Sequence, residues 1–307
     1  MTIVYSHQTA LSIYFENPSL GLLPRVAVPV DGHVRRKQVE FMANRACVDV
    51  LVKKASLRGA QAGSLVCHIL PAQCPEESFI TWEGYALACP ELCFVQMAAS
   101  LDLIDLVLLG YRLCGDYRPS ELRFRTGNLP LTTPEKLSAY VEKCAGCKGA
   151  KKARRALRFV LAGSNSTMET RLTMALILPR RWGGYGLSRP TLNEEIFGTS
   201  RTGDLCWLDK GVVVEYDSAS HHAEPFAQER DSARRAEIGL RDVRVITVSR
   251  MQVADPRLFD QVARYIAKSL GESMESRSPS CEPCRAQLLD RLFHHFDEGK
   301  MFCGKTK

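Results

Sequence analysis

The feature that most constrains this chain is a stretch of two apolar runs around a turn, Asp204-Leu205-Cys206-Trp207-Leu208, then Asp209-Lys210-Gly211, then Val212-Val213-Val214-Glu215-Tyr216-Asp217. Aromatic and β-branched residues on either side of a turn that ends in Gly predict a β-hairpin. With a two-residue turn at Asp209 and Lys210, Asp204 stands opposite Glu215 on one sheet face; with a turn at Lys210 and Gly211, it stands opposite Asp217 on that same face. A three-residue loop breaks the parity unless a bulge restores it. Carboxylates that face each other repel unless a cation lies between them, and hard oxygen ligands suit Mg²⁺ or Mn²⁺.

The rest of the chain gives this hairpin a setting. With 307 residues, 45% hydrophobic and 24% charged, there is room for two ordinary domains with packed cores. No run of about eighteen apolar residues occurs. The start, MTIVYSHQTALSIYF, has neither a basic region nor a small-residue cleavage site, so a cytoplasmic protein with no membrane partner is expected. Twelve cysteines sit mostly in apolar stretches such as Leu92-Cys93-Phe94-Val95, where a reduced thiol packs as a small hydrophobe. The net charge of +7 speaks to solubility and loose attraction to polyanions, not to a fold.

Residues 1–125 read as a smaller mixed α/β domain, with strands at Ser64–Leu70 and Phe79–Trp82 and one buried helix over Pro90–Leu109. Residues 126–163 read as a basic helical connector. There Lys148, Lys151, Lys152, Arg154, Arg155 and Arg158 accompany an apolar stripe of Ala153, Leu157 and Val160. Such a run is either a solvated face or a contact to nucleic-acid phosphates. Residues 164–270 form the domain that holds the hairpin. Residues 271–307 are a polar linker, Gly271–Ser280, and a short helix, Arg285–Phe296.

Glu169 adds a third carboxylate on the first turn of a helix expected over Thr167–Leu178. Ser166-Thr167-Met168-Glu169 also fits a capping box, and the two roles are compatible. Beyond the hairpin come His221 and His222, then a helix over Phe226–Leu240 that carries Gln228, Asp231 and Arg235 on one face, then a strand over Val243–Val248. Asp231 and Arg235 read equally as an ordinary i,i+4 ion pair. Cys144-Ala145-Gly146-Cys147 and Cys281-Glu282-Pro283-Cys284 are two CxxC pairs that could share one tetrahedral Zn²⁺; Cys281 and Cys284 with His295 or Cys303 are a rival ligand set.

Ser166-Thr167-Met168-Glu169, Arg189-Pro190-Thr191-Leu192-Asn193, Asp204, Val213-Val214-Glu215-Tyr216-Asp217, His221-His222 and Gln228-Glu229-Arg230-Asp231 with Arg235 together resemble the Vsr-like endonuclease family of the PD-(D/E)xK nuclease superfamily. The resemblance spans about a third of the chain. It implies a restriction-endonuclease-like α/β domain with a central mixed sheet and assigns Glu169, Asp204 and Glu215 to the acidic site. Asp217 stands where the superfamily's usual lysine would be, as in the Vsr-like branch. Tyr5-Ser6-His7-Gln8-Thr9-Ala10-Leu11 and Ala88-Cys89-Pro90-Glu91 resemble the region ahead of such domains in AbiEi-like antitoxin proteins.

The function expected from the resemblance is metal-dependent hydrolysis of DNA phosphodiester bonds, in repair, defence or mobile-element biology. Asp204 and Glu215, with the Tyr216 carbonyl, would hold Mg²⁺ or Mn²⁺, with Glu169 completing the shell. His221 or His222 would take a proton from water, Arg235 or Arg230 would face the phosphate, and Gln228 would position the water. The alternative is a non-catalytic antitoxin-like or regulatory DNA-binding protein, with or without a protein partner, that uses a nuclease fold as a platform.

Overall fold

The computed structural model describes residues 2–31, 34, 47–57, 65–116, 130–196, 202–217, 243–274 and 282–294. Within them the chain is α/β with two mixed sheets, and it divides into two compact units, one up to Val160 and one from Leu161 onward.

The first unit is built on a five-stranded sheet in the order β3-β2-β1-β5-β4. Its strands are β1 (Val4–Tyr5), β2 (Val48–Val52), β3 (Leu65–Ile69), β4 (Phe79–Trp82) and β5 (Tyr85–Ala88). β1 runs antiparallel to β2 and parallel to β5, while β2 and β3 are parallel. β2, Val-Asp-Val-Leu-Val, is buried along its whole length, as a strand covered on both faces requires. The helices α1 (His7–Glu16) and α2 (Pro90–Met97) pack on each other.

The single helix expected over Pro90–Leu109 is two. α2 ends at Met97 and α3 (Leu103–Cys114) starts afresh, because the Asp102 carboxylate caps it by accepting the Asp105 N–H at 3.0 Å. The segment expected to connect the domains is instead part of the first unit. It forms α4 (Pro134–Lys143) and α5 (Ala150–Leu157), joined through the CxxC turn, with Ala150, Ala153, Ala156 and Leu157 buried. Gly149 has φ 95°, and a Cβ there would press on the backbone of Ala98 and Ala99, so only glycine lets α5 start so close to α2.

The second unit opens with α6 (Thr167–Ile177) and carries a four-stranded mixed sheet in the order β6-β7-β8-β9. β6 (Thr191–Glu195), β7 (Thr202–Trp207) and β8 (Val212–Asp217) are antiparallel neighbours, and β9 (Arg244–Ser249) lies parallel to β8. α7 (Arg250–Ala254) and α8 (Pro256–Ser269) follow β9, and α9 (Glu282–Phe293) packs against α6 through buried Leu288, Leu289 and Leu292. The terminal helix is therefore part of this unit, while residues 275–280 of the expected linker lie outside the described residues.

The β7–β8 ladder pairs Trp207 with Val212, Cys206 with Val213 and Leu205 with Val214. This is the register of the two-residue turn, but the loop is longer: Leu208–Lys210 make a 3₁₀ turn closed by Gly211 in the left-handed region, φ 62°. Val213 and Cys206 pack with Ile196 and Val243 into a small core on one face. Gly203, just before Asp204, has no room for a side chain against Val213 Cγ1.

Candidate functional site

The register continues to the carboxylates. One step beyond Leu205↔Val214, Asp204 falls opposite Glu215, and the Asp204 Oδ2 accepts the Tyr216 N–H at 2.7 Å. On its other side, β6 pairs Leu192 with Leu205 and Glu194 with Gly203, so Asn193 falls opposite Asp204. Three adjacent strands thus present Asn193, Asp204 and Glu215 in one row.

Asn193 has a left-handed backbone, φ 51°, in the middle of a strand, where a non-glycine side chain rarely goes. The strain has a use. Its carboxamide Nδ2 donates to Glu169 Oε2 at 2.6 Å and to the Gly163 carbonyl at 2.8 Å, tying the start of α6 to the acidic row.

Glu169 is only 6% exposed and takes a second N–H, from Asn165 at 2.8 Å. Half of the expected capping box is present, since the Ser166 Oγ accepts the Glu169 N–H at 3.1 Å. The reciprocal bond goes one residue further back, to Asn165 instead of Ser166. Two N–H donors thus meet the buried carboxylate at the positive end of a helix.

Asp217 lies two residues along β8 from Glu215, half-buried and paired in register with Ser249. Between them the Tyr216 phenol is pushed up by burial and by Asp217, against the pull of Arg250 and Arg171. Those two cations therefore stand within electrostatic reach of the end of β8. His221, His222, Gln228, Arg230, Asp231 and Arg235 lie outside the described residues. Among the described residues, no three His, Cys, Asp or Glu side chains close into a metal cage.

On the basic helix the cations divide. Lys152 donates to the Leu101 carbonyl at 2.6 Å, and Arg154 pairs with Glu142, so both serve the fold. Lys148, Lys151, Arg155 and Arg158 are exposed. Cys144 and Cys147 belong to the first unit and Cys284 to the second, while Cys281, His295 and Cys303 lie outside the described residues. What the first unit brings toward the 144–147 turn is Cys74, whose Sγ meets the Tyr140 hydroxyl at 3.5 Å. Burial pushes the Cys144 thiol up to about 12 and raises Cys147 as well, so neither is a thiolate at neutral pH.

Sequence reasoning quoted Asn193 but gave it no role, and it missed Asn165. Compared with known proteins, the chain matches no family model, no curated protein and no solved structure. Among the described residues no helix is long and apolar enough to cross a membrane.

Proposed function

We propose that the second unit is a metal-dependent phosphodiesterase of the PD-(D/E)xK kind acting on DNA. The observation that carries this reading is the row Asn193, Asp204, Glu215 with Glu169 one hydrogen bond from it. Burying Glu169 and lining up Asp204 with Glu215 costs folding energy that a purely structural sheet has no reason to spend.

The donor set is all oxygen, which fits Mg²⁺ or Mn²⁺ and does not suit a softer ion. Asp204 and Glu215 would hold the cation, which would polarise a phosphate oxygen and acidify a bound water. The protein's own part is geometric. The Tyr216 N–H fixes the Asp204 carboxylate, Asn193 fixes Glu169, and Arg171 with Arg250 supplies positive charge at the end of β8 for a phosphate. The exposed Lys148, Lys151, Arg155 and Arg158 would add backbone attraction that weakens as salt rises.

The non-catalytic, antitoxin-like reading draws on one observation, that both N–H partners of Glu169 belong to the protein itself. Calorimetric titration of Mn²⁺ with plasmid cleavage separates the two. The nuclease reading expects binding and Mg²⁺-dependent nicking that are lost in Asp204→Asn/Glu215→Gln. Equal binding in wild type and double mutant, with no cleavage, leaves the platform reading.

A further inference from the structure

We propose that the first unit holds a site for a tetrahedral oxyanion, a phosphoryl group, formed by the imidazoles of His7 and His68 and the carboxamide of Gln96. It is independent of the acidic row in the second unit. Four elements converge on it: Ser6 and His7 at the start of α1, Asp49 of β2, His68 of β3 and Gln96 of α2.

Part of this cluster is explained by folding. The Asp49 Oδ2 accepts the Thr9 N–H at 3.4 Å and the Thr9 hydroxyl at 3.2 Å, which caps α1. The remainder is not. The Asp49 Oδ1 takes His68 Nε2 at 2.8 Å, and the His68 ring stacks on His7 with centroids 3.6 Å apart. His7 Nδ1 meets the Ser6 Oγ at 2.9 Å, and its φ of 48° is left-handed.

Each ring thus has one nitrogen engaged, leaving His7 Nε2 and His68 Nδ1 without a partner among the described residues. The His68 side chain is 29% exposed, so the pair reaches solvent. The third donor is Gln96, 6% exposed. Its Oε1 accepts the His7 N–H at 3.0 Å, while its buried Nε2 has no hydrogen-bond partner among the described residues. A buried amide left without an acceptor is costly unless something supplies one. Gln96 Nε2 donates, His7 Nε2 carries the proton when Nδ1 accepts the Ser6 hydroxyl, and His68 Nδ1 is a third donor in the imidazolium form, a set that suits a tetrahedral phosphoryl group better than a planar carboxylate.

The two nearly parallel rings, 22° apart, cannot aim two lone pairs at one metal ion, which argues for an anion. The titratable groups facing the pair are Asp49 from β2, His68 from β3 and, toward Asp49, Cys93 from α2. Burial and the neighbouring His68 hold His7 well below its ordinary value, so that ring is neutral.

The test is titration of inorganic phosphate into the full-length protein, followed by the imidazole NMR signals, with acetate as control. The site predicts saturable shifts of both histidines with phosphate and none with acetate. Gln96→Glu keeps the oxygen for the His7 N–H but replaces the NH₂ with an anionic oxygen, and should weaken phosphate at least about 10-fold. Gln96→Met removes the donor without adding charge and should weaken it roughly 5-fold. No saturable shift, unchanged affinity in both variants, or acetate binding as tightly as phosphate would overturn the proposal.

Discussion

Both units bury a carboxylate at the start of a helix, beside a non-glycine residue with a left-handed backbone, and they surround it differently. In the first, Asp49 is held by Thr9 and by the imidazole of His68, next to His7 at φ 48°. In the second, Glu169 is held by the Asn165 N–H and the Asn193 carboxamide, with Asn193 at φ 51°. Glu169 is thus met by two amide N–H groups beside Asp204 and Glu215, while Asp49 is met by a hydroxyl, a backbone N–H and a ring nitrogen. A carboxylate at a helix start is therefore held by amides alone in one unit and partly by an imidazole in the other.

The largest expected effect comes from removing the carboxylate that has the imidazole partner. Asp49→Ala strips α1 of its cap and leaves His68 unpaired, and should cost about 3 kcal/mol. Glu169→Gln keeps the shape and one acceptor oxygen, and should cost about 1 kcal/mol. Urea unfolding of each variant measures both. Equal losses, or a larger one for Glu169→Gln, would break the distinction between the two clusters.

A second comparison separates strain from hydrogen bonding at Asn193. Asn193→Ala loses the bond to Glu169 and keeps the unfavourable backbone, for about 2 kcal/mol. Asn193→Gly loses the same bond but relieves the left-handed strain, and should be about 1 kcal/mol less damaging. If Ala and Gly are equal by thermal melting, the backbone at Asn193 stores no strain.

The hairpin was legible because two apolar runs flank a turn that ends in Gly, but its register was left open among several turns, and the structure follows the one that sets Asp204 opposite Glu215. Thr167 as the start of α6 was legible from Ser166 and Glu169. Asn193 was not, since nothing in Thr-Leu-Asn-Glu-Glu announces a left-handed residue inside a strand. The break between α2 and α3 was hidden because Ser100-Leu101-Asp102 interrupts an apolar run without Gly or Pro, and only the capping carboxylate of Asp102 marks it. The stacking of His7 on His68 depends on β1 and β3 flanking β2, which is a fact of topology and not of local pattern.

The pH dependence of the two units should differ in window. Burial, reinforced by His68, holds His7 down at about 3, below its ordinary 6.5. The unfolded chain takes up a proton there that the folded chain refuses, so His7 contributes stability above about pH 6.5 that is lost progressively as pH falls below it. His7→Phe keeps a stacking ring without the proton, and should flatten the slope of unfolding free energy between about pH 6.5 and about pH 4.5. An unchanged slope would show that His7 is protonated in the fold.

The smallest effect belongs to Glu272 in the second unit, which ties the end of α8 to the hairpin turn. Its carboxylate takes Lys210 Nζ at 2.7 Å and the Ser188 N–H at 3.1 Å, together with the Ser188 hydroxyl. Burial alone would raise this group, but the bonds from Lys210 and Ser188 outweigh it and hold the carboxyl below its ordinary 4.5. Its contribution is therefore complete above about pH 4.5 and disappears as pH falls through the lowered value, a window more acidic than that of His7. Glu272→Gln should cost about 1 kcal/mol at neutral pH and nothing in strong acid, read from urea midpoints at the two extremes. A loss that persists in acid would mean that Glu272 acts through packing and not through its charge, and the contrast between amide-held and imidazole-held carboxylates would then rest on Glu169 and Asp49 alone.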